Sequence, residues 1–179
     1  NVISSNANFL DHWGSLESEN LLNRIRYLVR GCDCRWIILD HLSIVVSGLE
    51  NIDERRTIDN TMTNLRSLVE ELNIGLILVS HLKRPDGNRG HEEGVTTSLS
   101  QLRGSHAIAQ LSDICIGIER SLQDPDTSNL VTVRVLKNRF TGDCGVASVL
   151  TYNKETGRLL DSENPFIDGE ANGTTTNPF

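Results

Sequence analysis

Two short apolar runs of this sequence each end in side chains that could act on a phosphate. Asp40 closes the run WIIL, and Ser80 and His81 follow the run IGLILV. A carboxylate directly after a buried strand is the arrangement with which nucleotide hydrolases hold magnesium at their phosphates. A histidine beside it could sense the same phosphates. Apolar strands that end in an acidic residue are common, however, and a single histidine at the edge of a sheet often has only a structural role. The alternative that both residues are merely structural therefore stays open.

The segment between these runs explains how the two side chains would meet. Asp53 can cap a helix that continues to Leu72 with apolar residues at spacings of three and four. Strand, helix and strand in this order predict a βαβ unit with parallel strands buried on both faces. Because ligands of such sheets collect at the carboxyl ends of the strands, we expect Asp40 and His81 at one edge.

Further elements flank this unit. A Gly-rich, charged loop from Leu82 to Thr97 is long enough to be functional. The remaining patterns predict a short strand over Phe9–Trp13, a helix from Ser15 to Gly31, a helix over Ser98–Ser112, a strand over Asp113–Glu119, and a hairpin of Leu130–Lys137 and Val146–Tyr152 around the turn RFTGDCG.

Composition limits the classes of function. The chain has 179 residues, 37% of them apolar, and a formal net charge of -7. Such a length predicts one domain, or one domain with an appendage. No apolar run is long enough to cross a bilayer and no leader opens the chain, so we expect a cytoplasmic protein without a membrane partner. Because a module that holds DNA by bulk charge is usually basic, any DNA contact must come from local basic loops.

Ordered motifs resemble those of one family. WIILDH, DERRTIDN, LILVSHLKRP, HEEG, QLRGSHAIAQLSD, IER, RVLKNRFTGDCG and YNKETG are similar to motifs of the RecA-like ring helicases of superfamily four, above all the primase-helicases of short-tailed coliphages. The resemblance runs from Phe9 to Leu160. It implies an α/β fold: a RecA-like three-layer core with a mostly parallel central sheet and a C-terminal β-hairpin, truncated at the N-terminus. It also implies an ATP-dependent 5′ to 3′ replicative DNA helicase, in the host cytoplasm if phage-encoded.

The resemblance assigns a nucleotide site. Asp40 matches the acid that contacts the Mg²⁺ of ATP, or of dTTP, through water, and His81 matches the sensor of the γ-phosphate. Lys137 and Arg139 match the pair that reaches a neighbouring subunit's nucleotide, Arg139 being the arginine finger. The other nucleotide-binding matches are Arg120 and Tyr152 at the adenine and Phe140 beside the finger. A planar, always charged guanidinium on a hairpin turn suits charge developing on a phosphate. A solvated hairpin arginine and a surface tyrosine remain the alternatives.

The resemblance also assigns contacts to single-stranded DNA. Lys83, Arg84 and Arg89 fall in the family's DNA-binding loop, although they could form a merely charged loop. Gln110, with Arg103 and Gly104, falls in a motif that touches both DNA and phosphate. Ala109 departs from the coliphage-type pattern, which has an arginine before the glutamine, and this puts one DNA contact in doubt.

Parts of the family pattern are absent from the sequence. The motif GxxxxGK[ST] does not occur, and the water-activating glutamate should precede residue 1. We therefore expect a C-terminal fragment, with residues 1–160 as part of the core and 161–179 as a flexible acidic tail. Alone it should be inactive, and it should join a hexameric ring or a complementary fragment with the phosphate loop. The tail could bind a replicative DNA polymerase, or be an uninformative end. The alternative function is an ATPase-deficient subunit that binds DNA or polymerase.

Overall fold

The computed structural model describes residues 6–11, 18–45, 54–85, 90–102 and 106–162, in two compact units. The first unit comprises residues 1–83 and 100–112, and the second comprises 84–99 and 113–179. The elements, in chain order, are α1 (Ser18–Cys32), β1 (Trp36–Leu39), α2 (Glu54–Leu72), β2 (Gly75–Leu78), α3 (His106–Leu111), β3 (Ile114–Glu119), β4 (Leu130–Asn138), β5 (Gly145–Asn153) and β6 (Arg158–Asp161). Short 3₁₀ turns lie at Leu42–Val45 and Leu99–Gln101.

The first unit contains the predicted βαβ arrangement. Strands β1 and β2 are parallel, and α2 connects them. The apolar stripe of α2 is buried because it packs with α1, β1 and α3 around one core. The core residues are Leu21, Ile25, Ile37, Leu42, Ile58, Met62, Leu65, Leu68 and Ile108.

Helix α2 ends in a left-handed residue and is tied to α1 at its C-terminal end. Asn73 has a φ of 51°, and the Ile74 amide donates to the Val69 carbonyl, which is the hydrogen bond of a Schellman cap. Arg26 and Arg30 of α1 both donate to the Glu71 carboxylate, at 3.2 and 2.9 Å. The end of α2, and thus the start of β2, is therefore fixed against α1.

The expectation that these strands are buried on both faces is wrong for both: no residue of β2 is fully buried and its Ile77 is exposed, and β1 is exposed on one face. Trp36 and Ile38 are 70% and 69% exposed, whereas Ile37 between them is buried. Successive side chains of a strand point to opposite faces, and the described helices of this unit pack on the face of Ile37.

The second unit is an antiparallel sheet in the order β3-β4-β5-β6. The predicted hairpin is confirmed as β4 and β5, and β6 follows the turn after Asn153. The predicted strand over Asp113–Glu119 is β3, but it pairs antiparallel with β4 and not in a parallel sheet. The turn at residues 125–129 reverses the chain, and a parallel partner would need a crossover. In the described residues the fold is thus mixed α/β with one parallel strand pair, and not a mostly parallel sheet.

Three further expectations change in detail. The helix expected over Ser98–Ser112 is replaced by the 3₁₀ turn and the short α3, because the backbone of Leu102 pairs with Leu82 in an antiparallel bridge. Residues 7–11 have no regular structure, so the described part of the expected strand over 9–13 is absent. Asp161, the first residue of the expected tail, ends β6, and the tail from 163 onward lies outside the described residues. Within the described ranges, no helix has the length and apolar character to span a membrane.

Candidate nucleotide and DNA site

The parallel strand pair of the first unit brings Asp40 and His81 to the same edge. The register pairs Leu39 with Leu78, so both side chains follow their strands in the same direction. The Val79 amide donates to the Leu39 carbonyl, and the Leu42 amide donates to the Val79 carbonyl, each at 2.9 Å. These bonds extend the pairing beyond the strands and fix the backbone on both sides of Asp40.

His41 is a member of this edge that the sequence interpretation did not single out. Its ring lies edge-on against the His81 ring, with centroids 4.4 Å apart and an interplanar angle of 72°. Its Nδ1 is 3.9 Å from the Asp40 Oδ1. His41 therefore contacts both residues of the predicted site, and its only signal in the sequence is its place directly after Asp40.

Asp40 is chemically suited to a magnesium-nucleotide complex. Its side chain is 72% exposed, so its oxygens face water. Within the described ranges no group of three or more His, Cys, Asp or Glu residues could hold a metal by itself. Mg²⁺ is usually bound by one or two carboxylates together with substrate phosphates and waters, and one exposed carboxylate fits that pattern.

Arg120 and Tyr152 lie together in the second unit. The Arg120 guanidinium carbon is 4.7 Å from the centre of the Tyr152 ring, a cation–π contact, and Arg120 Nε donates to the Ser128 carbonyl at 2.7 Å. The resemblance placed both residues at the adenine base. Because a base between two planes needs a separation of about 7 Å, twice the stacking distance, one of the two would have to move to admit it.

Arg139 is presented by a well-ordered turn between β4 and β5. Asn138 Oδ1 accepts the amides of Phe140 and Thr141, and the Gly142 amide donates to the Asn138 carbonyl. The Arg139 side chain is 47% exposed and Phe140 is 73% exposed. The turn therefore faces solvent, as an arginine finger requires.

Arg139 is nevertheless held by a carboxylate of the same chain. Its Nη1 donates to Asp113 Oδ1 at 2.9 Å, and its amide donates to the Asp113 carbonyl at 2.8 Å. Lys137, two residues earlier, is half-buried in β4, where it pairs with Cys115. The Arg139 side chain is thus ion-paired with Asp113 at the surface, whereas the Lys137 side chain is half-buried in the sheet.

The predicted DNA contacts are only partly within the described residues. Lys83 and Arg84 are exposed, and the Lys83 amide donates to the Gln101 carbonyl at 2.7 Å. Gln110 lies exposed on α3. Arg89, Arg103 and Gly104 lie outside the described residues.

A polar cluster that the sequence did not reveal fixes the end of the charged loop. Glu119 Oε1 accepts the Thr97 amide at 2.8 Å, the Thr97 hydroxyl at 2.7 Å and Arg134 Nε at 2.8 Å. Thr97 is buried, and the Glu119 side chain is 11% exposed. A Cβ on Gly117 would overlap the Thr97 hydroxyl, so glycine is needed there for this approach. We call Thr97, Glu119 and Arg134 the loop anchor.

The hydrogen bonds of the loop anchor shift the pKa values of both charged members. Burial by itself raises the pKa of Glu119, but the hydrogen bonds from Arg134 and Thr97 outweigh it, and the pKa lies below its ordinary value. The hydrogen bond to Glu119 raises the pKa of Arg134. Both groups are therefore charged at neutral pH. Glu119 ends β3 and directly precedes Arg120. The loop anchor therefore connects the end of the charged loop to the strand that precedes the Arg120–Tyr152 contact.

Several known proteins are similar to this chain in sequence. A family model described as the DnaB-like helicase C terminal domain matches residues 1–161. The DNA helicase/primase of Enterobacteria phage T3 is 45% identical over 165 residues, which cover 92% of this chain and 29% of that protein. The replicative DNA helicase DnaB of Geobacillus stearothermophilus is 23% identical over 171 residues, covering 93% and 37% of the two chains. This chain thus spans about a third of the length of these relatives.

Two solved structures have a similar fold. One is a DnaB-like replicative helicase, described with its interactions with primase, with a TM-score of 0.69 and 24% identity over 87% of this chain and 37% of that chain. The other is a KaiC-like protein from Pyrococcus horikoshii, with a TM-score of 0.56 and 13% identity over 82% and 57% of the chains. At such identities the likeness shows the fold, which is of the RecA-like kind.

Proposed function

The chain belongs to the DnaB-like helicase C-terminal domain family, and on this premise we propose that it is part of an ATP-dependent replicative DNA helicase of the phage primase-helicase type. Hydrolysis of ATP or dTTP between adjacent subunits of a ring drives 5′ to 3′ movement along single-stranded DNA in the host cytoplasm. The observation that supports this most is the shared edge of Asp40 and His81 after two parallel strands, since that is where such sheets bind ligands.

Asp40 and His81 divide the work at the nucleotide phosphates in this proposal. Asp40 holds Mg²⁺ through water, and the ion when bound supplies neutralising charge at the phosphate oxygens. His81 donates a hydrogen bond to the γ-phosphate, so its position differs before and after the phosphate leaves. The His41 ring contacts the His81 ring edge-on and so restricts it to few orientations. The position of the His81 ring therefore depends clearly on whether the phosphate is bound.

The exposed turn between β4 and β5 acts on a neighbouring subunit. Arg139 donates to the neighbour's γ-phosphate as charge develops there, and Lys137 assists from the adjacent strand. Phe140, exposed beside the finger, contacts the neighbour and couples subunit motion to the finger. Gln110 contacts both phosphate and DNA. The ring is therefore required for hydrolysis, either as a hexamer whose subunits include a phosphate loop or as this chain together with a complementary fragment that carries one.

Other partners follow from the same proposal. Single-stranded DNA binds at Lys83 and Arg84, together with Arg89, Arg103 and Gly104. Residues 161–179 contact a replicative DNA polymerase. In the second candidate function the chain is an ATPase-deficient subunit that binds DNA or polymerase. The two differ in whether hydrolysis appears when a phosphate loop is supplied.

The test is a mixing experiment. This chain, combined with a complementary chain that carries the phosphate loop, is expected to hydrolyse ATP faster when single-stranded DNA is added. Replacement of both Lys83 and Arg84 by alanine should weaken DNA binding roughly tenfold and lower the salt slope by about 0.7 for each phosphate that is no longer neutralised. The measurements are steady-state phosphate release and DNA affinity at several salt concentrations.

A matched control is available for the charge change. Lys154, in the turn before β6, and Arg158, in β6, are both exposed, and replacement of both by alanine should leave DNA affinity within twofold. Unchanged affinity and salt slope in the Lys83 and Arg84 variant would contradict the DNA assignment. DNA binding with no hydrolysis in the mixture would favour the ATPase-deficient subunit.

Tyr152 is expected to determine nucleotide affinity. Stacking of a base on an aromatic ring contributes about 1–3 kcal/mol, so Tyr152→Ala should raise the KM for ATP about tenfold with a smaller change in kcat. Tyr152→Phe keeps the ring and should stay within twofold of the unmodified chain. The measurement is the dependence of hydrolysis in the mixture on ATP concentration. Equal KM values for the alanine and phenylalanine variants would exclude the stacking role.

A further inference from the structure

Asp113 is the side chain that holds the predicted arginine finger. We propose that Asp113 is a positioning residue that orients the Arg139 guanidinium before a neighbour's nucleotide arrives; this rests on the proposed function of Arg139. Arg139 Nη1 donates to the Asp113 carboxylate at 2.9 Å, and the Arg139 amide donates to the Asp113 carbonyl at 2.8 Å. Backbone and side chain of the arginine are thus both fixed to one residue.

The backbone bond makes the side-chain contact specific. Asp113 directly precedes β3, and Arg139 directly follows β4, so the Arg139–Asp113 bond extends the β3–β4 pairing by one step. Asn138 then turns the chain through its bonds to the amides of Phe140 and Thr141. The base of the finger is therefore fixed on both sides, and the long arginine side chain is the part that still needs an orienting partner.

The ion pair of Arg139 and Asp113 is partly exposed. Such a pair can orient the arginine without keeping it permanently from a phosphate. The side chains of Arg139 and Asp113 are 47% and 34% exposed. Ion pairs exposed to this degree contribute little to stability because water and salt screen them. A guanidinium has five N–H donors in a rigid fork, so a bond to Asp113 does not exhaust its capacity to donate to a phosphate. Because arginine has large rotamer freedom, fixing it beforehand reduces the entropy lost when the transition state forms.

The proposal is tested by a double-mutant cycle in the mixed hydrolysis reaction. Asp113→Ala is expected to lower kcat about tenfold with KM unchanged. Asp113→Asn keeps an oxygen acceptor and should recover most of the rate, to within about threefold. In the Arg139→Ala background, Asp113→Ala should cause no further loss, because a positioning residue has nothing left to position. Asp143→Ala is the control, since Asp143 is exposed in the same turn, and it should leave kcat unchanged.

A readout without turnover accompanies the cycle. In this chain alone, the NMR signals of the Arg139 guanidinium should show restricted rotation that Asp113→Ala removes and Asp143→Ala leaves. If Arg139→Ala abolishes hydrolysis but Asp113→Ala keeps the full rate, the positioning role is overturned and the proposed function stands. Losses that multiply in the double variant would also overturn it, since they indicate a separate structural effect. If Arg139→Ala retains hydrolysis, the finger assignment fails and the positioning role fails with it.

Discussion

Replacement of Arg139 by alanine is expected to slow hydrolysis at a neighbouring subunit's site by about 10³-fold, the lower end of what an arginine finger supplies. The reason is that a guanidinium stabilises charge that develops on the transferred phosphate, and water cannot replace it in a closed interface. The turn that presents Arg139 is solvent-facing and ordered by Asn138. The measurement is kcat in the mixture of this chain with a complementary chain that carries the phosphate loop.

Two variants make this result specific. Arg139→Lys keeps the charge but loses the planar fork, so it should recover only a small part of the rate. Arg158→Ala removes an exposed arginine of β6 in the same sheet and should have no effect. A kcat for Arg139→Ala within threefold of the unmodified chain would remove the finger from the mechanism.

Glu119→Gln is expected to lower the free energy of unfolding of the second unit by about 2 kcal/mol at neutral pH. The amide would leave the partly buried Arg134 without its counter-ion and would place an N–H₂ group among donors from Thr97 and Arg134. Hydrogen bonds to charged groups contribute about 1.5–3 kcal/mol. Chemical unfolding followed by a signal of the antiparallel sheet measures the difference.

The pH dependence of this difference has a definite sign. The folded-state pKa of Glu119 lies below the ordinary value of 4.5, so the unfolded chain takes up a proton first as the pH falls. The contribution of Glu119 is therefore fully present above about pH 5 and is lost as the pH falls through its folded-state pKa. The unmodified chain and Glu119→Gln should converge in stability in acid.

Glu155 provides the control for the charge change. It is exposed in the turn before β6, so Glu155→Gln should leave the unfolding free energy within about 0.5 kcal/mol, as surface substitutions usually do. A difference between Glu119→Gln and the unmodified chain that persists unchanged at about pH 3.5 would contradict the ionised hydrogen-bonded state of Glu119.

Local patterns were sufficient for the parts of the fold that depend on neighbours in sequence. The 3.6-residue spacing of Ile58, Met62 and Leu65 defined α2, and the apolar runs on either side defined β1 and β2. Alternation around RFTGDCG defined the β4–β5 hairpin. Each of these elements is fixed by side-chain periodicity over a few residues, which a single sequence displays directly.

Contacts between distant residues could not be predicted in the same way. Thr97 and Glu119 are 22 residues apart, and Asp113 and Arg139 are 26 apart. Their contact depends on strand register, including the irregularity between Cys115 and Ile116, and a shift of one residue would turn each side chain to the other face. The antiparallel pairing of β3 with β4 could not be predicted for the same reason.

The sequence by itself determined the family, the two strands that end in Asp40 and His81, and the hairpin that carries Arg139. Its ordered motifs and short-range periodicities contain that information. Only the tertiary structure decided that His41 contacts His81, that Arg120 lies directly on Tyr152, and that Asp113 holds Arg139. These contacts arise from the register of paired strands and the packing of neighbouring rings. They are set by the free energy of the whole fold, and no local pattern encodes them.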